Sequence, residues 1–396
     1  MKKYSTILTI GGLFLGIILG FIFPTFIQSI SFIGQIYINL LKFMIIPVIF
    51  TSIISVFYKS SLNKSKLLFK VISLFIIMFS ITFLLTSLVV LLVKPGINYS
   101  FIPTVWNDEI TTFQIGTILT NIFPTNIIAI FENNLVLPAI ILAAFSGYAA
   151  SKIKDGNKLI DIINILKDLC NKLLEYIMYL TPIAVLSLVG NVIANYGNII
   201  FTVGAKYILI AFICSILCLI LVMIIPVWVY AKINPITYIK KTAKIWLMTI
   251  TTCSSSATLP YTIKTCENDL KVNENVTNLV VPLGCTIHMC GGAVSFALLG
   301  LFCSQLFGIE INFYTFIIMI ISSNLINMAA PGIPNGGIVI GATYLSILNI
   351  PLSFIGFYSG IYKILDMMYT TLNVTGDITA NVLINTYLNK KKTIRK

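Results

Sequence analysis

Apolar residues in this chain gather into runs long enough to cross a lipid bilayer, separated by short polar connections. The runs are Ser5–Phe26, Ile30–Phe57, Leu67–Val93, Phe113–Ala150, Ile160–Ala194 and Phe201–Tyr230. About 20 apolar residues in a helix span the roughly 30 Å hydrocarbon layer, so each run predicts a membrane helix. From Asn234 onward the pattern changes. The run Ile236–Cys266 is interrupted by a Ser/Thr-rich stretch at 251–260, and Ile311–Leu348 by a Gly/Pro-rich one at 327–337. The runs Thr277–Phe307 and Leu352–Leu388 lie between and after them. A break inside hydrocarbon leaves backbone groups unpaired, so it is tolerated only against protein or a water-lined cavity. Two such breaks in matching places predict two helical hairpins meeting near the midplane; kinked helices are the plainer alternative. Helix ends at the hairpin tips offer free N–H groups suited to a carboxylate.

The last run carries a polar stripe. Asp366, Thr370, Asn373 and Asp377 stand at i, i+4, i+7 and i+11, within an arc of roughly 60° on a helix. Ionisable groups in membrane helices are costly and face a bundle interior where something polar binds. The stripe predicts a site for a cationic or zwitterionic solute. An aspartyl protease is excluded, because residues eleven apart on one helix lie about 16 Å from each other and the two carboxylates of such an enzyme share a proton.

Composition narrows the class. Hydrophobic residues make up 58% of the chain and charged residues 10%, with a mean hydropathy of +0.98. This describes an all-α polytopic membrane protein, and no cleavable signal peptide precedes the first span. The net charge of +13 reports topology rather than nucleic acid binding. Lysines cluster at the termini and in alternate connections (Lys59 to Lys70, Lys152 to Lys158, Lys240 to Lys244, Lys264 and Lys271), while Asn98–Glu109 is poor in them. The positive-inside pattern puts both termini in the cytoplasm. The eight cysteines lack ligand-like spacing and read as small apolar fillers.

The breaks and the stripe together resemble the dicarboxylate/amino acid:cation symporters, which include glutamate, aspartate and neutral amino acid transporters. The resemblance rests on the tip Thr252-Cys253-Ser254-Ser255-Ser256-Ala257-Thr258-Leu259-Pro260, on Gly332-Ile333-Pro334 and on Asn373-Val374-Thr375-Gly376-Asp377. Pro124-Thr125-Asn126, Thr181-Pro182-Ile183 and Pro282-Leu283-Gly284 follow in the same order. It implies eight transmembrane helices plus two re-entrant hairpins in inverted repeats, a homotrimer in the cell membrane, and an elevator mechanism. Residues 1–65 and 110–198 would form a scaffold of spans 1, 2, 4 and 5. Residues 66–95 and 199–390 would form the mobile transport domain, and 391–396 a cytoplasmic tail.

The resemblance also implies roles. Asp366 corresponds to the carboxylate that holds the substrate ammonium, and Thr370 and Asn373 to residues that bind the head group. Ser254, Ser255 and Ser256 in the first hairpin, with Ile333 and Gly337 in the second, correspond to the α-carboxylate cradle and lid; Met289 lies nearby. The side-chain end departs from the pattern. Acidic-substrate members carry an arginine where this chain has Tyr369, and an assisting threonine where it has Gly292. The only arginine here is Arg395, so the substrate is expected to be a neutral amino acid of the serine, threonine, alanine, cysteine or cystine type. The alternatives are an acidic amino acid or dicarboxylate symporter and, more remotely, an anion channel or a transport-inactive sensor.

The coupling ion is expected to be sodium, a proton or both, with no other cofactor. One sodium site is reduced, because Cys290 and His288 replace an aspartate and an asparagine, and sodium prefers hard oxygen ligands. A second corresponds to Asp377 with carbonyls of Gly284, His288 and Asn373. A third corresponds to carbonyls around Thr286 with Met289. His288, the only histidine, is a candidate proton carrier, the plainer reading being a neutral core histidine. Lys363 is a candidate charge partner of Asp366, or a residue that snorkels to the interface.

Overall fold

A computed structural model describes residues 5–62, 66–97, 126–132, 136–197, 199–329 and 336–394. Every regular element among them is helical. In chain order these are α1 (Ser5–Ile22), α2 (Pro24–Ser29), α3 (Ser31–Leu62), α4 (Lys66–Val93), α5 (Ile127–Glu132), α6 (Val136–Ala150), α7 (Gly156–Met178) and α8 (Thr181–Tyr196). Next come α9 (Ile199–Cys218), a π-helical turn at Leu219–Ile224, α10 (Ile225–Ala231), α11 (Pro235–Thr252) and α12 (Ser255–Lys264). The last are α13 (Glu274–Ile287), α14 (Cys290–Phe307), α15 (Phe313–Ala329), α16 (Gly336–Ile347) and α17 (Ser353–Ile394). Among the described residues four helices are long and apolar enough to cross a bilayer: Pro24–Tyr58, Leu67–Val93, Thr202–Ala231 and Glu274–Phe307.

Beyond the break at Phe23 that separates α1 from α2, two runs that the apolar pattern presents as continuous are broken. The run Ile160–Ala194 bends by 54° between α7 and α8. Pro182 lies in the first turn of α8, where its missing N–H starts a helix readily but cannot continue one. Before the bend, α7 carries Lys158, Asp161, Lys167, Asp168, Lys172 and Glu175 among its apolar residues. The second break interrupts Thr277–Phe307, where His288 and Met289 are extended between α13 and α14 (φ −122° and −116°). No proline lies at the gap itself, so the sequence carries no punctuation for it.

Close backbone contact holds α1 to α8. A methyl group at Gly12, Gly16 or Gly20 would fall 2.2, 2.6 or 2.6 Å from the carbonyl oxygens of Pro182, Leu186 and Gly190. One small residue per turn lets two helices pack without side chains between them. Farther along the chain, α14 is buried on nearly every side, as expected of a helix apolar all round. It lies against α17, which runs unbroken for 42 residues, about 63 Å at 1.5 Å per residue. The long helix also packs on α8, α9, α11, α13 and α16, so its polar stripe faces protein.

Candidate functional site

The expected hairpin tip begins the site. Cys253 closes α11 in the left-handed conformation (φ 47°) and Ser254 is extended, so α12 starts after two residues. A non-glycine residue there costs roughly 1–2 kcal/mol. Ser254 Oγ accepts a hydrogen bond from Ala257 N at 3.3 Å and caps α12; Ser255, in the first turn, is buried. The first N–H groups of a helix have no intrahelical partner, and here that end of α12 faces a cavity.

The cavity is bounded by α12, α14, α15, α16 and α17. Of the expected substrate residues, Ser254, Ser255, Met289, Gly292, Gly337, Asp366, Tyr369, Thr370 and Asn373 line it. Ser256 does not; its hydroxyl lies 3.8 Å from Cys285 Sγ, against α13. Ile333 lies outside the described residues. The wall also carries Ser295, Phe296, Asn327 and Tyr362, which the sequence reading did not assign to the substrate. The only signal for Asn327 is an amide in an otherwise apolar run.

Glycine contacts bring the broken helix against α17. A methyl at Gly291 would lie 2.1 Å from the Tyr369 carbonyl oxygen, and one at Gly284 2.3 Å from Asp377 Oδ1. At the head-group end, Thr370 Oγ1 donates to Asp366 Oδ1 at 3.2 Å, as the i, i+4 spacing requires. Asn373 Oδ1 accepts from Gly291 N at 2.7 Å. An amide whose oxygen is held by an N–H turns its NH₂ the other way, which makes Asn373 a donor on the cavity wall.

Beyond Asp366 the wall is aromatic. Tyr362 and Tyr369 have ring centroids 6.5 Å apart, and Tyr358 stands 5.2 Å from Tyr362. Tyr358 pairs with Ser295 at 2.7 Å. The buried hydroxyls of Tyr369 and Tyr207 face each other. No lysine or arginine lines the cavity among the described residues. Lys363 is 8% exposed and interacts with the Cys253 thiol, so it points into protein rather than snorkelling to an interface.

Asp377 occupies a drier place. Its Oδ1 lies 3.0 Å from His288 Nδ1, and His288 Nε2 lies 3.1 Å from Cys290 Sγ. The Phe75 ring stacks on the imidazole at 4.3 Å with planes 9° apart. Thiol S–H to Nε2 and Nδ1–H to carboxylate is the arrangement that gives every donor an acceptor. The Gly284 carbonyl accepts from His288 N at 2.8 Å. Two of the groups expected to face a cation, the Asp377 carboxylate and the Gly284 carbonyl, are thus engaged by His288. Thr286 is exposed, with its hydroxyl on the Leu283 carbonyl at 2.7 Å.

Comparison with known proteins accords with these features. Residues 6–387 match the sodium:dicarboxylate symporter family. The chain is 26% identical to the neutral amino acid transporter B(0) of Bos taurus, an alignment covering 93% of this chain and 75% of that protein. It is 24% identical to an excitatory amino acid transporter of Caenorhabditis elegans, covering 95% and 86%.

Proposed function

The chain belongs to the sodium:dicarboxylate symporter family, and from that premise we propose that it imports a neutral α-amino acid by cation-coupled symport. The observation that carries this reading is a cavity with one carboxylate, Asp366, and no cationic side chain on its described wall. Asp366 and Thr370 take the substrate ammonium. Asn373 Nδ2, the first turn of α12 at Ser254 to Ser256, and the second hairpin at Ile333 and Gly337 take the α-carboxylate. A buried carboxylate without a cation is strongly unfavourable, so an acidic side chain near Asp366 would lack a counter-charge. Tyr369 and Gly292 form the side-chain end.

Purified protein in liposomes tests this by competition against labelled amino acids. Serine, alanine, cysteine or cystine is expected to displace label at concentrations where aspartate does not. Preference for aspartate would overturn the neutral reading, and current without saturable exchange would favour a channel.

The transport cycle is read as an elevator within a homotrimer in the cell membrane, with both termini facing the cytoplasm. Contacts of α1 with α8 and of α3 with α6, α7 and α8 support a scaffold of residues 1–65 and 110–198. Packing of α4 on α14, and of α9 to α16 around α17, supports a transport domain. Sodium is the coupling ion that the family's description favours. Its remaining ligands would be the Met289 region and carbonyls near Thr286 and Asn373, because His288 already engages Asp377 and the Gly284 carbonyl. Sodium and pH gradients imposed separately on the same liposomes distinguish the ion: no response to sodium would remove it as the coupled cation.

A further inference from the structure

On the reading of the cavity as an amino acid site, we propose that Asn327 determines specificity at its side-chain end. Its amide oxygen selects amino acids whose side chain carries a neutral hydrogen-bond donor, a hydroxyl or a carboxamide.

Asn327 lies near the end of α15 and is 3% exposed. Its Nδ2 donates to the Ile287 carbonyl at 3.2 Å. That carbonyl belongs to the last residue of α13, one of the acceptors that a helix end leaves without an intrahelical partner. The bond fixes the amide orientation, because the nitrogen cannot accept and the oxygen must face the other way. The oxygen is buried and meets no donor among the described residues.

What it faces is set by Gly292. Both residues line the cavity, and a methyl at Gly292 would stand 2.9 Å from Asn327 Oδ1. The missing side chain at 292 leaves the buried oxygen at the edge of the cavity, with no side chain between them. Gly291 packs on the Tyr369 carbonyl, so Gly292 and Asn327 stand at the level of Tyr369, beyond the ammonium carboxylate.

A buried amide oxygen is costly until a donor reaches it. An aliphatic side chain supplies none, and a carboxylate brings only further lone pairs. A hydroxyl or carboxamide satisfies it, and a site built to bond such a group rejects the analogue lacking it. Substrates of matched shape therefore separate by chemistry alone: threonine from valine, glutamine from glutamate.

The test is competition in liposomes holding the full chain. Threonine is expected to bind about tenfold or more tightly than valine, and glutamine than glutamate, the size of one well-made hydrogen bond. In Asn327→Leu and Gly292→Ala the threonine-to-valine ratio is expected to fall to about two, the second variant acting by displacing the amide. Ratios are read within each variant, so an overall loss of uptake does not distort them. Equal binding of threonine and valine by the unaltered protein overturns the proposal, without any variant having to fold. So does an unchanged ratio in both variants. Failure of every α-amino acid to compete, or a preference for aspartate, would instead remove the reading of the cavity and this proposal with it.

Discussion

Two carboxylates on α17, Asp366 and Asp377, share one face of one helix about 16 Å apart, and their surroundings differ. Asp366 opens onto the cavity and receives the Thr370 hydroxyl at 3.2 Å. Asp377 is 2% exposed and sits against Gly284 and the His288 imidazole, which Phe75 covers. The first borders a cavity that we propose meets a solute; the second closes a chain of side chains belonging to the protein. Burial raises the energy of any charge that lacks a partner, so each carboxylate persists in hydrocarbon for its own reason. Replacing them separately should have different consequences.

The largest effect is expected at the open end. Asp366→Asn keeps the shape and removes the charge proposed to pair with an ammonium, and breaking such a pair costs roughly 3–5 kcal/mol. Binding of every amino acid is expected to weaken by a factor on the order of 10² to 10³, measured by titration of purified protein. Binding that survives would take Asp366 out of the ammonium role. A smaller change is expected from Tyr369→Arg, which puts a fixed cation on a wall that has none among the described residues. Aspartate affinity is expected to rise about tenfold relative to serine; an unchanged ratio would show that Tyr369 does not face the side-chain end.

How much of this contrast was legible in the sequence depends on which element supplied the partner. The stripe on α17 was legible because a helical period fixes its face, and the Asp366–Thr370 contact follows from that spacing. The first hairpin was legible from its Ser/Thr-rich interruption. The gap at His288–Met289 was not, since its run is apolar on both sides and the glycines that matter, Gly284 and Gly291, act by letting α17 approach. Asn327 was legible only as a residue of the second hairpin; its role depends on the Ile287 carbonyl, freed by a break that the pattern hides. Pairings between distant elements, such as His288 with Asp377, leave no period or spacing to read.

At the closed end the effects are expected in stability. Asp377→Ala removes the acceptor of His288 Nδ1 and strands a buried donor, costing about 1–3 kcal/mol. Thermal unfolding in detergent is expected to fall by several degrees, and a change confined to sodium dependence would make the carboxylate a cation ligand rather than a structural acceptor.

The smallest effect is expected at Cys290, and it carries the sharper test. A thiol is a weak donor, and Cys290→Ala removes its contacts with Nε2 at 3.1 Å and with Thr82, leaving the imidazole on Asp377. The loss is expected to be about 1 kcal/mol or less, clearly below that of Asp377→Ala. The double variant separates two arrangements. If thiol, imidazole and carboxylate act as one chain, removing both ends costs less than the two single losses added, because the second removal acts on a chain already broken. If the losses simply add, Cys290 only fills space, and the closed site reduces to a single histidine–aspartate contact.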